Sequence, residues 1–273
     1  MDFALGRRLA AEFVGTALLV LFGPGAVVAA LTVGSGKLDY AALGFIGLSF
    51  GIVIAAVIYG FGAVSGAHIN PGVTFSLAVT RRFPWAEVVP YVAAQLAGAA
   101  GGGLLIVAAF GTGAADLGGA GSTVLGGGVS YGSGIVAEAL GTFLLMFTIM
   151  AVAVDPRAAK GWAGLMIGLA VAGAIMVVGP LTGASLNPAR TFGPYLTSTL
   201  FGKGPPWEQF PLYVVGPLLG AVAAAFVYDL VARPRQVGVA TPAETAASVA
   251  SETPAEASET PAEGPPAGRQ GEP

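Results

Sequence analysis

Six stretches of this chain are apolar for about as long as a helix needs to cross a bilayer, roughly 20 residues each. They run approximately over 9–31, 41–61, 86–109, 133–154, 162–179 and 209–231. Of 273 residues, 55% are hydrophobic and only 10% are charged, against the quarter usual for soluble domains. That leaves too little polar surface for a soluble body of this length. The expected fold class is therefore an all-α membrane protein forming one compact unit. Arg7 and Arg8 precede the first stretch as they would in a secretory signal, but the stretch is too long for one and carries Glu12. It reads as a retained helix.

The charges set orientation. Arg7, Arg8, Arg81, Arg82, Arg157, Lys160, Arg233 and Arg235 fall on one side of a six-span chain, and Lys37 and Lys203 on the other. Such a bias places both termini in the cytoplasm of a plasma-membrane protein. Residues 1–231 form the expected membrane domain. From 232 to 273 the chain is rich in Ala, Pro, Glu and Thr and holds three Arg and six Glu, the whole net charge of −3. A segment so poor in large apolar residues is expected to be a disordered cytoplasmic tail.

No cysteine is present, which removes disulfides, thiolate nucleophiles and thiolate metal sites, and a single histidine leaves no His-rich zinc site. No metal, cofactor or nucleic-acid partner is expected, and no enzymatic activity. The glycine-rich run 118–134 lacks a lysine or a preceding strand and reads as a plain long loop.

Two intervals, 62–80 and 182–199, are apolar yet interrupted by proline and too short to span. Such backbone must be buried in protein or line a watery cavity, so both read as re-entrant. They also match each other. Segment 65–75 (SGAHINPGVTF) pairs with 182–192 (TGASLNPARTF), 11–16 (AEFVGT) with 137–142 (AEALGT), and Tyr91, Leu96 and Gly98 with Tyr213, Leu218 and Gly220. Three landmarks recurring in one order indicate duplication. Each repeat contains three spans, an odd number, so the second is inserted upside down, and the functional site of inverted repeats lies at the midplane. Pro71 and Pro188 suit the first position of two half-helices, with Asn70 and Asn187 as caps. The small-residue pairs Gly47/Gly51, Gly98/Gly102, Gly164/Gly168 and Gly216/Gly220 suit close helix packing.

On these residues the chain resembles the aquaporin and glycerol-facilitator family, the major intrinsic proteins. The resemblance covers residues about 5–231 and is closest to archaeal-type water channels through 141–146 (GTFLLM), 153–155 (AVD) and 186–196 (LNPARTFGPYL). It implies six transmembrane helices plus two re-entrant half-helices in inverted three-helix repeats, assembled as a homotetramer in the lipid bilayer. The boxes are Asn70, Pro71 and Gly72, where the family usually has alanine at the third place, and Asn187, Pro188 and Ala189. Backbone carbonyls of Gly66, Ala67 and His68 and of Gly183, Ala184 and Ser185 are expected to line the pore, with Asn70 and Asn187 donating to passing water. By resemblance the outer constriction is Phe50, Ile175, Ala184 and Arg190. Strict water channels resemble Phe, His, a small residue and Arg at those places. Glycerol facilitators resemble Trp, Gly, Phe and Arg, followed by Asp where this chain has Thr191. Glu12 and Glu138 are expected to brace the re-entrant loops, and His68 to sit near the cytoplasmic mouth as a loop-bracing or lining residue.

The function implied is passive conduction of water and small uncharged solutes with exclusion of protons and ions. Two alternatives stand beside it: a glycerol facilitator, and an ion-coupled transporter, which also uses inverted repeats and broken helices.

Overall fold

The computed structural model describes residues 3–232. The expected tail, beyond residue 232, and Arg233 and Arg235 lie outside the described residues. Eight α-helices follow in order: α1 (Leu5–Val33), α2 (Tyr40–Ser65), α3 (Pro71–Val79), α4 (Trp85–Phe110), α5 (Tyr131–Ile149), α6 (Ala163–Thr182), α7 (Pro188–Phe201) and α8 (Leu212–Ala232). A π-helical turn, Met150–Val154, extends α5. Six of these segments are long and apolar enough to span a membrane, while α3 and α7 are the short ones.

The halves pack by one plan. In the first, α1 lies against α2 and α4; in the second, α5 lies against α6 and α8. The halves join where α2 meets α6 and where each half-helix crosses over, α3 onto α8 and α7 onto α4. Glycines permit the tightest approaches. A Cβ on Gly51 would stand 2.9 Å from the carbonyl oxygen of Gly168, and one on Gly102 would collide with that of Ala17. Without a hydrophobic force between helices in lipid, such close backbone contact is what drives their association.

The second and fifth spans run further than their apolar runs suggested, to Ser65 and Thr182, so the re-entrant loops proper are only 66–70 and 183–187. Each helix stops at a glycine in the left-handed region, Gly66 at φ 88° and Gly183 at φ 81°. Such a residue closes a helix without the Cβ penalty other residues incur.

Candidate functional site

After each terminal glycine the backbone takes the same unusual course. Ala67 and Ile69 have φ of 47° and 42°, and their counterparts Ala184 and Leu186 have 47° and 55°. Positive φ is uncommon outside glycine, and for β-branched Ile69 it is an outlier. Strain of this kind persists only where surroundings over-determine it, and here two carboxylates do so. Oε1 of Glu12 accepts from Ser65 Oγ (2.7 Å) and the His68 N–H (2.9 Å), and Oε2 accepts from the Ile69 N–H (2.7 Å) and Gln95 Nε2 (2.9 Å). Oε1 of Glu138 accepts from Thr182 Oγ1 (2.6 Å) and the Ser185 N–H (2.8 Å), and Oε2 from the Leu186 N–H (2.7 Å). Both acids are fully buried. Four donors fill the acceptor capacity of the Glu12 carboxylate and three nearly fill that of Glu138.

The loops end at the boxes. Asn70 and Asn187 adopt extended backbone and cap α3 and α7, accepting from the Gly72 N–H (2.8 Å) and the Ala189 N–H (2.9 Å) respectively. Pro71 and Pro188 take the first helical turn, where a missing N–H costs nothing. The two asparagines also reach across the pseudo-symmetry. Asn70 Nδ2 donates to the Leu186 carbonyl (2.9 Å), and Asn187 Nδ2 donates to the Ile69 carbonyl (2.8 Å). Each amide thus fixes the opposite loop with one N–H and keeps the second, a division of labour that spacing alone did not reveal. The N-termini of both half-helices contribute partial positive charge at this point.

A cavity of about 320 Å³ runs past this junction. Toward the face where α1 starts and α8 ends it is lined by Arg82, Ala153 and Val154; at the boxes by residues 66–70 and by Ser185, Leu186 and Asn187; at its far end by Phe50 and Arg190. Its remaining wall is mostly aliphatic. Of the constriction expected from the resemblance, Phe50 and Arg190 therefore meet in this cavity, whereas the buried Ile175 and Ala184 are not among its lining residues, nor are the half-buried Gly183 and the buried box residues Pro71, Gly72, Pro188 and Ala189.

Arg190 is 3% exposed, with its guanidinium carbon 5.1 Å from the centre of the Phe50 ring. NH1 donates to the Gly121 carbonyl at 2.8 Å, and among the described residues its Nε finds no partner. A buried cation is costly unless it faces a cavity or is paired; this one faces the cavity. His68 contacts Thr74 Oγ1 through Nδ1 (3.1 Å) and packs against the rings of Phe83 and Tyr91, which also touch each other. Arg82 is held by Asp229 of α8 at 2.6 Å. Outside the spans, hydrogen bonds from the Arg157 side chain and backbone, and from Tyr228, hold the Asp155 carboxyl well below the usual carboxylate range. Arg157 also donates to the Ala232 carbonyl (2.7 Å), tying this turn to the end of α8 beside the cavity mouth.

One expectation needs correction. The glycine-rich run is not a plain loop. Gly119–Gly121 forms a 3-10 turn folded in against α1 and α7, Ala120 and Thr123 are fully buried, and Gly121 supplies the carbonyl that holds Arg190. Every residue has a carbonyl, so side-chain chemistry offered no signal for Gly121. Gln95, which donates to both Glu12 and Thr74 Oγ1, was also missed, since its counterpart in the second repeat is Pro217.

A multi-pass helical membrane protein, built as an inverted repeat around a narrow cavity with two half-helix N-termini at its middle, is the class this fold and site define. The chain belongs to the major intrinsic protein family, whose profile matches residues 2–228. It is 52% identical over 246 residues to "Probable aquaporin AqpM" of Archaeoglobus fulgidus, covering 85% of this chain and all of that one. It is 49% identical over 239 residues to "Aquaporin AqpM" of Methanothermobacter marburgensis, covering 83% and 97%. Among solved structures it resembles the aquaglyceroporin from Plasmodium falciparum, with a TM-score of 0.75 at 25% identity, covering 84% of this chain and 97% of that one.

Proposed function

We propose that this protein is a passive channel for water and small uncharged solutes that excludes protons and ions. One observation carries the reading: two inverted half-helices present Asn70 and Asn187 to a single cavity whose far end holds Arg190 against Phe50. A solute entering there meets amide and guanidinium donors that replace part of its hydration. The aliphatic remainder of the wall keeps binding weak enough for exit. The facing half-helix dipoles disfavour a cation at the midplane, and Arg190 disfavours one at the far end. Ion coupling is the poorer reading, because Glu12 and Glu138 already have their acceptor sites occupied by loop donors.

Glycerol conduction is kept open by Ile175, which stands where strict water channels resemble His, and by a structural relative described as an aquaglyceroporin. We assign conduction to residues 1–231, in a homotetramer with one pore per subunit, in the plasma membrane with both termini cytoplasmic. Stopped-flow light scattering on proteoliposomes tests the function, with shrinkage in an impermeant osmolyte and reswelling in glycerol recorded on one preparation. Fast shrinkage above empty liposomes is expected. Its absence from folded protein would remove the reading, and fast glycerol reswelling would shift it to a broad neutral-solute facilitator.

A further inference from the structure

Resting on that reading of the cavity as a pore, we infer that Thr191 is the positioning residue of the constriction. Its hydroxyl clamps the 119–123 segment to the second Asn-Pro box and so sets where Arg190 stands.

The clamp is a chain of three buried hydroxyls. Thr123 Oγ1 lies 2.9 Å from Thr191 Oγ1, which lies 2.6 Å from Ser185 Oγ. Ser185 Oγ donates to the Asn187 carbonyl at 2.7 Å. Because a carbonyl can only accept, the proton of Ser185 is committed, and the others must follow: Thr191 donates to Ser185, and Thr123 donates to Thr191. One direction satisfies all three hydroxyls at once. The segment so anchored is the one whose Gly121 carbonyl holds Arg190 NH1 at 2.8 Å. Its path has little freedom elsewhere. Gly121 has φ 82° with the Pro24 backbone pressed where a Cβ would be, and the Thr123 carbonyl accepts from the Tyr195 hydroxyl at 2.8 Å. Thr191 is therefore bonded at once to the box that presents Asn187 and to the loop that holds Arg190.

The matching residue of the first repeat has no such reach. Thr74 donates to the Asn70 carbonyl (3.1 Å) and receives Gln95 Nε2 (3.0 Å), bonds that stay within its own half. The clamp is a property of the second half alone, where the arginine is.

The test uses the full-length channel in proteoliposomes and reads the ratio of glycerol to water permeability. Thr191→Val keeps the shape and removes the hydroxyl; Thr123→Val removes the outer link; Thr191→Ser restores the hydroxyl. The two valine variants should raise the ratio by roughly fivefold, the factor that a hydrogen bond of ordinary net strength sets between two states, and Thr191→Ser should match the parent. In an Arg190→Val background, Thr191→Val should add nothing, because the two changes act through one guanidinium. An unchanged ratio in Thr191→Val, or a full additional effect in the Arg190→Val background, would overturn the proposal. A parent protein that conducts nothing above empty liposomes would instead defeat the pore reading. Hydrogen exchange of peptides covering 119–123 then reads the clamp by itself: faster exchange in Thr191→Val but not in Thr191→Ser supports it, and equal exchange in all three overturns it.

Discussion

In the first half the re-entrant loop delivers Gly72, Val73 and Thr74 to the half-helix; in the second it delivers Ala189, Arg190 and Thr191. The backbones leading there are near copies. A left-handed glycine, two further residues at positive φ, a carboxylate accepting two loop N–H groups and an asparagine cap occur in both. The side chains beyond the cap diverge. Val73 is a buried aliphatic wall, whereas Arg190 is a cation with one protein hydrogen bond and an aromatic ring beneath it. What is duplicated builds the scaffold, and on the proposed reading what occurs once is where solutes are told apart. Arg190, its Gly121 carbonyl, His68 and Arg82 all lack a counterpart at the mirrored position, and Arg190 and Arg82 lie toward the two ends of the cavity rather than at its middle.

The largest effect should come from breaking the shared scaffold. Replacing Glu12 or Glu138 by Gln turns an amide NH2 toward a loop N–H and leaves buried donors unpaired, about 1–3 kcal/mol for each. Both variants should unfold at markedly lower temperature in thermal-shift measurements, Glu12→Gln at least as low as Glu138→Gln because its carboxylate takes four donors rather than three. A tolerated substitution in one half only would end the claim that the two braces are equivalent.

Next is the divergence itself. Arg190→Val should raise glycerol permeability relative to water by about tenfold, the weight of a charge-assisted hydrogen bond, and increase proton leak in a pH-dye liposome assay. The mirrored change, Val73→Ala, should alter the ratio by no more than about twofold, in line with the weak discrimination an apolar wall provides. Comparable effects from both would mean that selection is spread along the cavity.

The chain has no native cysteine, so a thiol introduced at a lining position reports itself by mercurial block. Ala67→Cys, within the cavity lining, should confer block of water permeation, and so should Ala184→Cys if the constriction extends to it. Block at 67 alone would move the narrow point away from Ala184.

The smallest effect is expected at Gly72, the place where the boxes differ. Gly72→Ala should shift thermal stability by less than about 1 kcal/mol, since the gain in helix propensity is offset by a Cβ standing 3.2 Å from Asn70 Oδ1 and 3.5 Å from the Pro217 carbonyl. Unchanged permeability in the liposome assay should accompany it.

Much of the fold was legible because its signals are coarse and repeated. Apolar runs mark the spans, proline marks the start of each half-helix, and an odd number of spans per repeat forces the inversion. Boundaries were less so. The second span continues to Ser65 because residues 62–65 are as compatible with helix as with loop, and the glycine that ends it stands among many glycines. In the site, positions carrying unusual side chains within apolar runs, such as Glu12, Glu138 and Arg190, drew attention by the cost of burying them. Gly121 and the paired amide-to-carbonyl bonds did not, because a carbonyl's role depends on where the backbone is brought, and nothing local to 118–134 announces that it folds back onto the arginine. Ile175 and Ala184 illustrate the converse: the resemblance alone assigns them to the constriction, because a residue's contribution to a wall depends on side-chain packing that no motif records.

The crossed asparagine bonds also bear on how the protein is made. Asn70 must wait for Leu186, 116 residues further along the chain, before its amide is satisfied, and Arg82 waits 147 residues for Asp229. A ribosome delivers the first half well before these partners exist. That half can set its loop on Glu12 early, since the acid precedes it, yet it cannot lock the axis. The junction of the two loops therefore cannot close until the second half is made, and a nascent first half inserted alone holds an unfinished loop until its inverted twin enters the bilayer.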